Sequence, residues 1–386
     1  MFAVAELVQC VAGNLHTLQC ATSAEKFAET VWRMFVHFAN TLTAKSDIVA
    51  LAAVAATSAS FAQATISGVI GFGYVSDKVA SVKSNGIETT DGEVTFAASE
   101  DLGGGLKASA SMVAVLKGRT DATTKDAKIV VSGGFGTMIL GQLEAGNGIL
   151  GLGGAGAPGR GLDGVVIAAA SNINLFKYVT PALAEGLTAS FAYAEAGDYA
   201  GKGAAQVPVL GVSYSGGGLK VNADYSTFSY TAANKATSAV TGLYLGADGD
   251  VADKANATTT VQAPVTAATA AENLAKRKDN RIRLSASYDL GMATVGAGYE
   301  KMAYQGTGKD QTDVLVGVSA PLGPVTAGLN YAQHKTSGSS SKLSGWDMGV
   351  TYALSKRTSV NGSYMTAKST GKAGDTYLRV KLTHSF

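Results

Sequence analysis

Arg281 and Arg283, like Arg379 and Lys381, stand two residues apart, the spacing that puts both cations on one face of a β-strand. Fixed cations on a common face attract anions and repel cations without breaking any bond. Residue types that do covalent chemistry are scarce. The 386-residue chain holds 2 cysteines, Cys10 and Cys20, and 4 histidines, His16, His37, His334 and His384. A His-centred triad needs a nucleophile and an orienting acid around a positioned imidazole. Here His16 and His37 fall in the leader described below, His384 sits on the apolar set of the last strand, and His334 stands alone at a loop edge. No enzyme is expected, and a carboxylate-only site is the one catalytic rival left. Gly151-Leu-Gly-Gly-Ala-Gly156 matches a nucleotide loop only in spelling, since no βαβ unit surrounds it, so no cofactor is implied. A net charge of +2 with dispersed basic residues gives no support to nucleic-acid binding.

The elements that must carry these charges are strands. The last segment, Asp375-Thr-Tyr-Leu-Arg-Val-Lys-Leu-Thr-His-Ser-Phe386, places Leu378, Val380, Leu382 and Phe386 on one face and Tyr377, Arg379, Lys381, Thr383 and Ser385 on the other. Comparable alternation recurs at 64–74, 91–100, 106–116, 126–133, 137–142, 174–180, 187–195, 207–215, 219–229, 281–289, 293–302, 311–319, 325–334, 343–353, 358–367 and 375–386, sixteen strands in all. Short connections rich in Gly, Pro, Asp and Ser alternate with long ones at about 75–90, 117–125, 143–173, 196–206, 230–280, 303–310, 335–342 and 368–374. One short rim, one long rim and an even count predict an all-β transmembrane antiparallel barrel with turns in the periplasm and loops outside. Tyr74, Tyr193, Tyr225, Tyr299, Tyr331 and Tyr364 end the outward strands, and Tyr214, Tyr288, Tyr352 and Phe386 end the inward ones. All belong to the apolar set, as two interfacial girdles require.

Composition agrees, with 46% hydrophobic and 16% charged residues, 48 glycines and 6 prolines, and no stretch near the roughly 20 apolar residues of a membrane helix. The run Ile48–Ala56 followed by Ser60-Phe61-Ala62 reads as a secretory signal cut after Ala62. The expected division is a spurious N-terminal extension over 1–33 with Met34 as initiator, a signal peptide over 34–62, and a barrel over 63–386. Both cysteines leave with the leader, so the mature chain cannot mispair thiols in an oxidising compartment.

Several motifs carry a family resemblance: Ser99-Glu-Asp-Leu-Gly-Gly-Gly-Leu-Lys107, Gly134-Phe-Gly-Thr-Met-Ile-Leu-Gly-Gln142, Lys177-Tyr-Val-Thr-Pro181, Tyr352-Ala-Leu-Ser-Lys-Arg-Thr358 and the terminal His384-Ser-Phe386. Their order and spacing over about 63–386 resemble the Gram-negative general porins of the β-proteobacterial type. The resemblance implies an outer-membrane barrel of 16 strands, usually a homotrimer, with a third external loop folded into the lumen. It also implies that Phe386 ends the signal read by the barrel assembly machinery. The third loop is Leu143–Ile173, whose Ile149, Leu150, Leu152 and Leu162 need burial that folding inward would supply. The chain departs from the family at Gly141-Gln142-Leu143, where Gly-Arg-Gln is usual and the arginine serves the constriction.

Opposite the apolar set, the wall carries Lys107, Lys128, Lys177, Lys220, Arg281, Arg283, Arg379 and Lys381 against Glu93, Asp224, Glu300, Asp313 and Asp347, with Glu144, Arg160 and Asp163 on the third loop. The excess of cations predicts weak to moderate anion preference in a passive, water-filled pore for small hydrophilic solutes and ions, set in outer-membrane lipid. The competing readings are a substrate-specific channel for phosphate or organic acids and a binding surface on the Ala/Thr-rich loop 230–280 with its helix-like run Ala270–Lys278.

Overall fold

The computed structural model describes residues 63–117, 123–145, 148–168, 171–196, 205–230, 244–245, 251–252, 259–260, 277–306 and 308–386. The predicted extension and signal peptide, residues 197–204 of the loop 196–206, and the helix-like run except Arg277 and Lys278 lie outside them.

Sixteen long strands make one closed antiparallel sheet: β1 Gln63–Val79, β2 Val82–Gly103, β3 Leu106–Val115, β4 Thr123–Gly133, β5 Gly136–Ala145, β6 Ser171–Val179, β7 Leu187–Ala196, β8 Ala205–Gly216, β9 Leu219–Thr227, β10 Lys278–Asp289, β11 Thr294–Tyr304, β12 Gln311–Leu322, β13 Val325–Thr336, β14 Lys342–Ala353, β15 Thr358–Ser369 and β16 Asp375–Ser385. Each strand pairs with its neighbours in sequence, and β1 closes the ring on β16 from Val69↔Ser385 to Lys78↔Thr376. Closure leaves no unpaired edge, the condition for crossing a hydrocarbon layer with strands. Phe386 extends the seam by exchanging two backbone hydrogen bonds with Gly68, each 3.0 Å. Three two-residue strands, Tyr244–Leu245, Val251–Ala252 and Thr259–Thr260, form a separate small sheet.

Turn chemistry explains one rim. Gly104 and Gly105 join β2 to β3 with φ of 60° and 80°, and Gly217 and Gly218 join β8 to β9 with 56° and 81°. Such two-residue links match the twist of paired strands and need left-handed backbone at both positions. The first connection on the other rim corrects the sequence reading. Residues 75–90 are not a long loop: β1 and β2 stay paired out to Val79↔Val82, and only Ala80 and Ser81 turn the chain, with φ of 48° and 71°. Val75, Val79, Val82 and Ile87 are spaced among polar residues widely enough to hide their alternation. Their backbone groups are nonetheless satisfied by cross-strand pairing.

Side chains segregate inside out. Phe72, Ile129, Leu140, Val316, Met348, Val350, Val380 and Leu382 are all exposed on the outer face. The buried polar residues Ser285, Glu300, Asp313, Asn330, Asp347, Asn361 and Ser363 alternate with that set. Nine of the ten girdle aromatics named above are exposed, and the tenth, Tyr331, packs on Trp346 at 4.6 Å between ring centres.

Candidate conduction pathway

The segment 148–168 between β5 and β6 packs on the polar face. It contains the one-turn helix α1, Leu150–Gly153, and buries Ile149, Leu162, Val166 and Ile167 against Leu315, Ala332, Met365 and Ala367. Room for it comes from glycines on the same face of the four adjacent strands β11 to β14, among them Gly317 of β12, where a Cβ would meet Gly154. A Cβ on Gly296 or Gly298 would meet the backbone or side chains of 149–153, one on Gly328 or Gly349 would meet 157–159, and one on Gly345 would meet Val166. Fixed polar groups hold the segment: Asp347 accepts from the backbone N–H of Arg160 at 2.9 Å and of Gly161 at 2.8 Å. Asn361 donates to the Pro158 carbonyl at 2.9 Å, and the Ser319 hydroxyl donates to the Ala155 carbonyl.

The charged candidates fall into separate groups. Arg160 leaves the segment to bind Asp77 of β1 at 2.8 Å and to cover the Tyr377 ring at 4.7 Å. On the adjacent wall Lys381 binds Asp91 at 2.8 Å, while Arg379, paired in register with Ser363 and Val75, makes no ion pair among the described residues. Across the barrel Arg283 binds Asp224 at 2.9 Å. Lys177 and Arg281 line the same recess and make no ion pair among the described residues. Lys128 lines a smaller hollow with Ser99, Ser109 and Ser111. Lys107 and Lys220 stand near the turn rim, in register with Ser132 and Ser287. Glu144 is held by Lys125 at 3.3 Å, a lysine that also takes Glu93 at 3.1 Å. Asp163 forms a bridge with Ile167 within its own turn. Gln142 pairs in register with Ala127, two residues from the outward pair Ile129↔Leu140, so this departure from the usual motif lies on the outer face.

Sequence reasoning missed Lys278, assigned to a loop but opening β10 within the same recess, and Lys125, which lies beside a register shift in the β3–β4 pair. Asp77 was missed with the misread hairpin, and Asp91, at the start of the predicted strand 91–100, was left out of the wall acids. The signal for Asp91 was the Thr90-Asp91 pair at a β-bulge, where alternation slips by one residue.

A family model described as Gram-negative porin matches residues 49–372. Among curated proteins, no match was found. Solved structures with the same fold include an anion-selective porin from Comamonas acidovorans, 20% identical with a TM-score of 0.60, covering 84% of this chain and 100% of that one. OmpT of Vibrio cholerae in its trimer form is 14% identical with a TM-score of 0.56 over 84% and 99% of the two chains. A mutant of the Rh. blastica porin is 13% identical with a TM-score of 0.54 over 84% and 100%.

Proposed function

From the premise that this chain belongs to the Gram-negative porin family and is an outer-membrane β-barrel porin, we propose that it is a general diffusion pore with a weak to moderate preference for anions. The observation that carries this reading is the inverted barrel, apolar outside and polar inside, with sixteen strands, a number wide enough to leave an aqueous channel. The segment 148–168 narrows that channel, a role supported by its packing on the polar face through Asp347 and Asn361.

Charge bookkeeping on the wall favours anions. Arg283 and Lys381 are offset by Asp224 and Asp91, and Arg160 by Asp77. Lys107, Lys128, Lys177, Lys220, Arg281 and Arg379 make no ion pair among the described residues. Of the wall acids, Asp313 contacts His334 at 2.6 Å, Glu93 is shared with Lys125 and Asp347 is spent on backbone N–H groups, so Glu300 alone is left over, without an ion pair among the described residues, against those six cations. The remaining field is positive, and ions crossing the pore feel it to the extent that salt does not screen it.

Assembly as a homotrimer fits the broad apolar exterior, which a subunit surface and lipid can share; a cross-linked ladder ending at three copies tests it. Removal of residues 1–62 before assembly is tested by the N-terminal sequence of the membrane protein, expected to start at Gln63. Sugar influx into liposomes tests the general pore: rates falling smoothly with solute size support it, while saturation by one solute favours a substrate-specific anion channel.

A further inference from the structure

One stretch of the polar face is not polar. Ile173 and Leu175 on β6, Val207 and Val209 on β8, Phe228 just beyond β9 and Met302 on β11 line one recess of about 420 Å³, within the range of small-ligand sites. The other apolar stretch of the inner wall, Leu315, Ala332, Met365 and Ala367, is covered by the segment 148–168, whereas no described segment of the chain fills this recess. Val207, Phe228 and Met302 are buried against one another, but Ile173, Leu175 and Val209 are only half-buried, and apolar surface left in water is unfavourable.

The cations are concentrated where this surface is. Lys278 Nζ and Arg281 Cζ each stand 5.7 Å from the centre of the Phe228 ring, and Lys177 lines the same recess. Arg281 Nε is buried and has no hydrogen-bond partner among the described residues. Three acids also line the recess, but Asp224 is held by Arg283 and Glu144 by Lys125, so Glu300 alone stands against Lys177, Lys278 and Arg281. A guanidinium over an aromatic face with a free N–H is suited to a carboxylate whose apolar body lies on the neighbouring aliphatic wall.

We propose that this recess is a binding site for small amphipathic organic monoanions, carboxylates with an aromatic or branched apolar body. The carboxylate contacts Arg281 and Lys278, and the body rests on Leu175, Val207, Val209 and Met302. The site retains such solutes during passage, whereas inorganic anions and short carboxylates pass without pausing. This rests on the open-pore reading, and the test separates the two.

Single-channel currents are recorded from the full barrel in KCl while phenylacetate, acetate or benzylammonium is added at equal concentration. The expected result is saturable, concentration-dependent interruption of the current by phenylacetate at levels where acetate and benzylammonium leave it unchanged. Arg281→Gln and the pair Val207→Ser with Val209→Ser each raise the half-blocking concentration at least tenfold, read against each variant's own open current. Equal block by acetate, block by benzylammonium, or block insensitive to both variants overturns the proposal. Block appearing only after shortening of the 231–276 loop also overturns it and assigns the recess to the chain's own loop. Absence of any current contradicts the pore itself, a separate failure.

Discussion

Asp347 is fully buried, yet its carboxylate faces two backbone N–H groups of the segment 148–168. Those bonds offset the cost of burying the acid and hold the backbone at Arg160, whose side chain reaches Asp77. Asp347→Ala leaves both donors unpartnered, at about 1–3 kcal/mol each. We expect the segment to loosen and the single-channel conductance to rise, while an unchanged conductance would show that Asp347 does not hold it. Selectivity is also decided residue by residue. Neutralising Lys177 and Arg281 together removes two positive charges that make no ion pair among the described residues, whereas Arg283→Gln with Asp224→Asn removes a pair of zero net charge. The first double variant is predicted to move the reversal potential toward the cation side and the second to leave it within error. Equal shifts would sink the assignment of Lys177 and Arg281 as the field-setting residues. The charges themselves were legible in the sequence, since alternation assigns a face to each. Their pairing was not, because Asp91 meets Lys381 across 290 positions and only the closing of β1 on β16 brings them together.

The strands were the most legible elements, each of the sixteen being marked by period-2 alternation and turn residues. Boundaries slipped where alternation is interrupted. Register shifts at Gly71/Phe72 and Met112/Ala114 hide the outer ends of β1, β2, β3 and β4 from a strict two-residue pattern. The β1–β2 tip is the clearest case, because Ala80 and Ser81 adopt left-handed backbone without the Asn or Gly that would announce a two-residue hairpin. The Ala80 N–H is held by Asp375 at 2.9 Å, which fixes the tip beside the start of β16. Each non-glycine residue in that conformation costs about 1 kcal/mol. Ala80→Asn combined with Ser81→Gly is therefore expected to stabilise the barrel by about 1 kcal/mol, read as a higher denaturant midpoint. A lower midpoint would indicate that the tip turns differently. The resting place of 148–168 was not legible, because a glycine inside a strand signals weakness or close approach alike. Only the register places Gly296, Gly298, Gly317, Gly328, Gly345 and Gly349 on one face of neighbouring strands.

At the scale of the whole molecule the barrel is a protein turned inside out, with its apolar surface outward and its buried ionisable groups around an aqueous interior. That inversion was visible in the sequence through composition and aromatic placement, since neither depends on long-range pairing. The sign of the interior field was reachable only by counting cations against acids, and the contacts change that count by cancelling Arg283, Lys381 and Arg160. Because the surviving charges line a wet pore, anion preference is predicted to fall as ionic strength rises and the Debye length shrinks from about 10 Å at 0.1 M toward 3 Å at 1 M. The most direct test of the account is the reversal potential of the barrel, prepared from Gln63 onward, in a planar bilayer under a KCl gradient. Stepwise, ohmic openings with a potential of anion-selective sign are the predicted result. A cation-selective sign, or a folded barrel that carries no current, would contradict it.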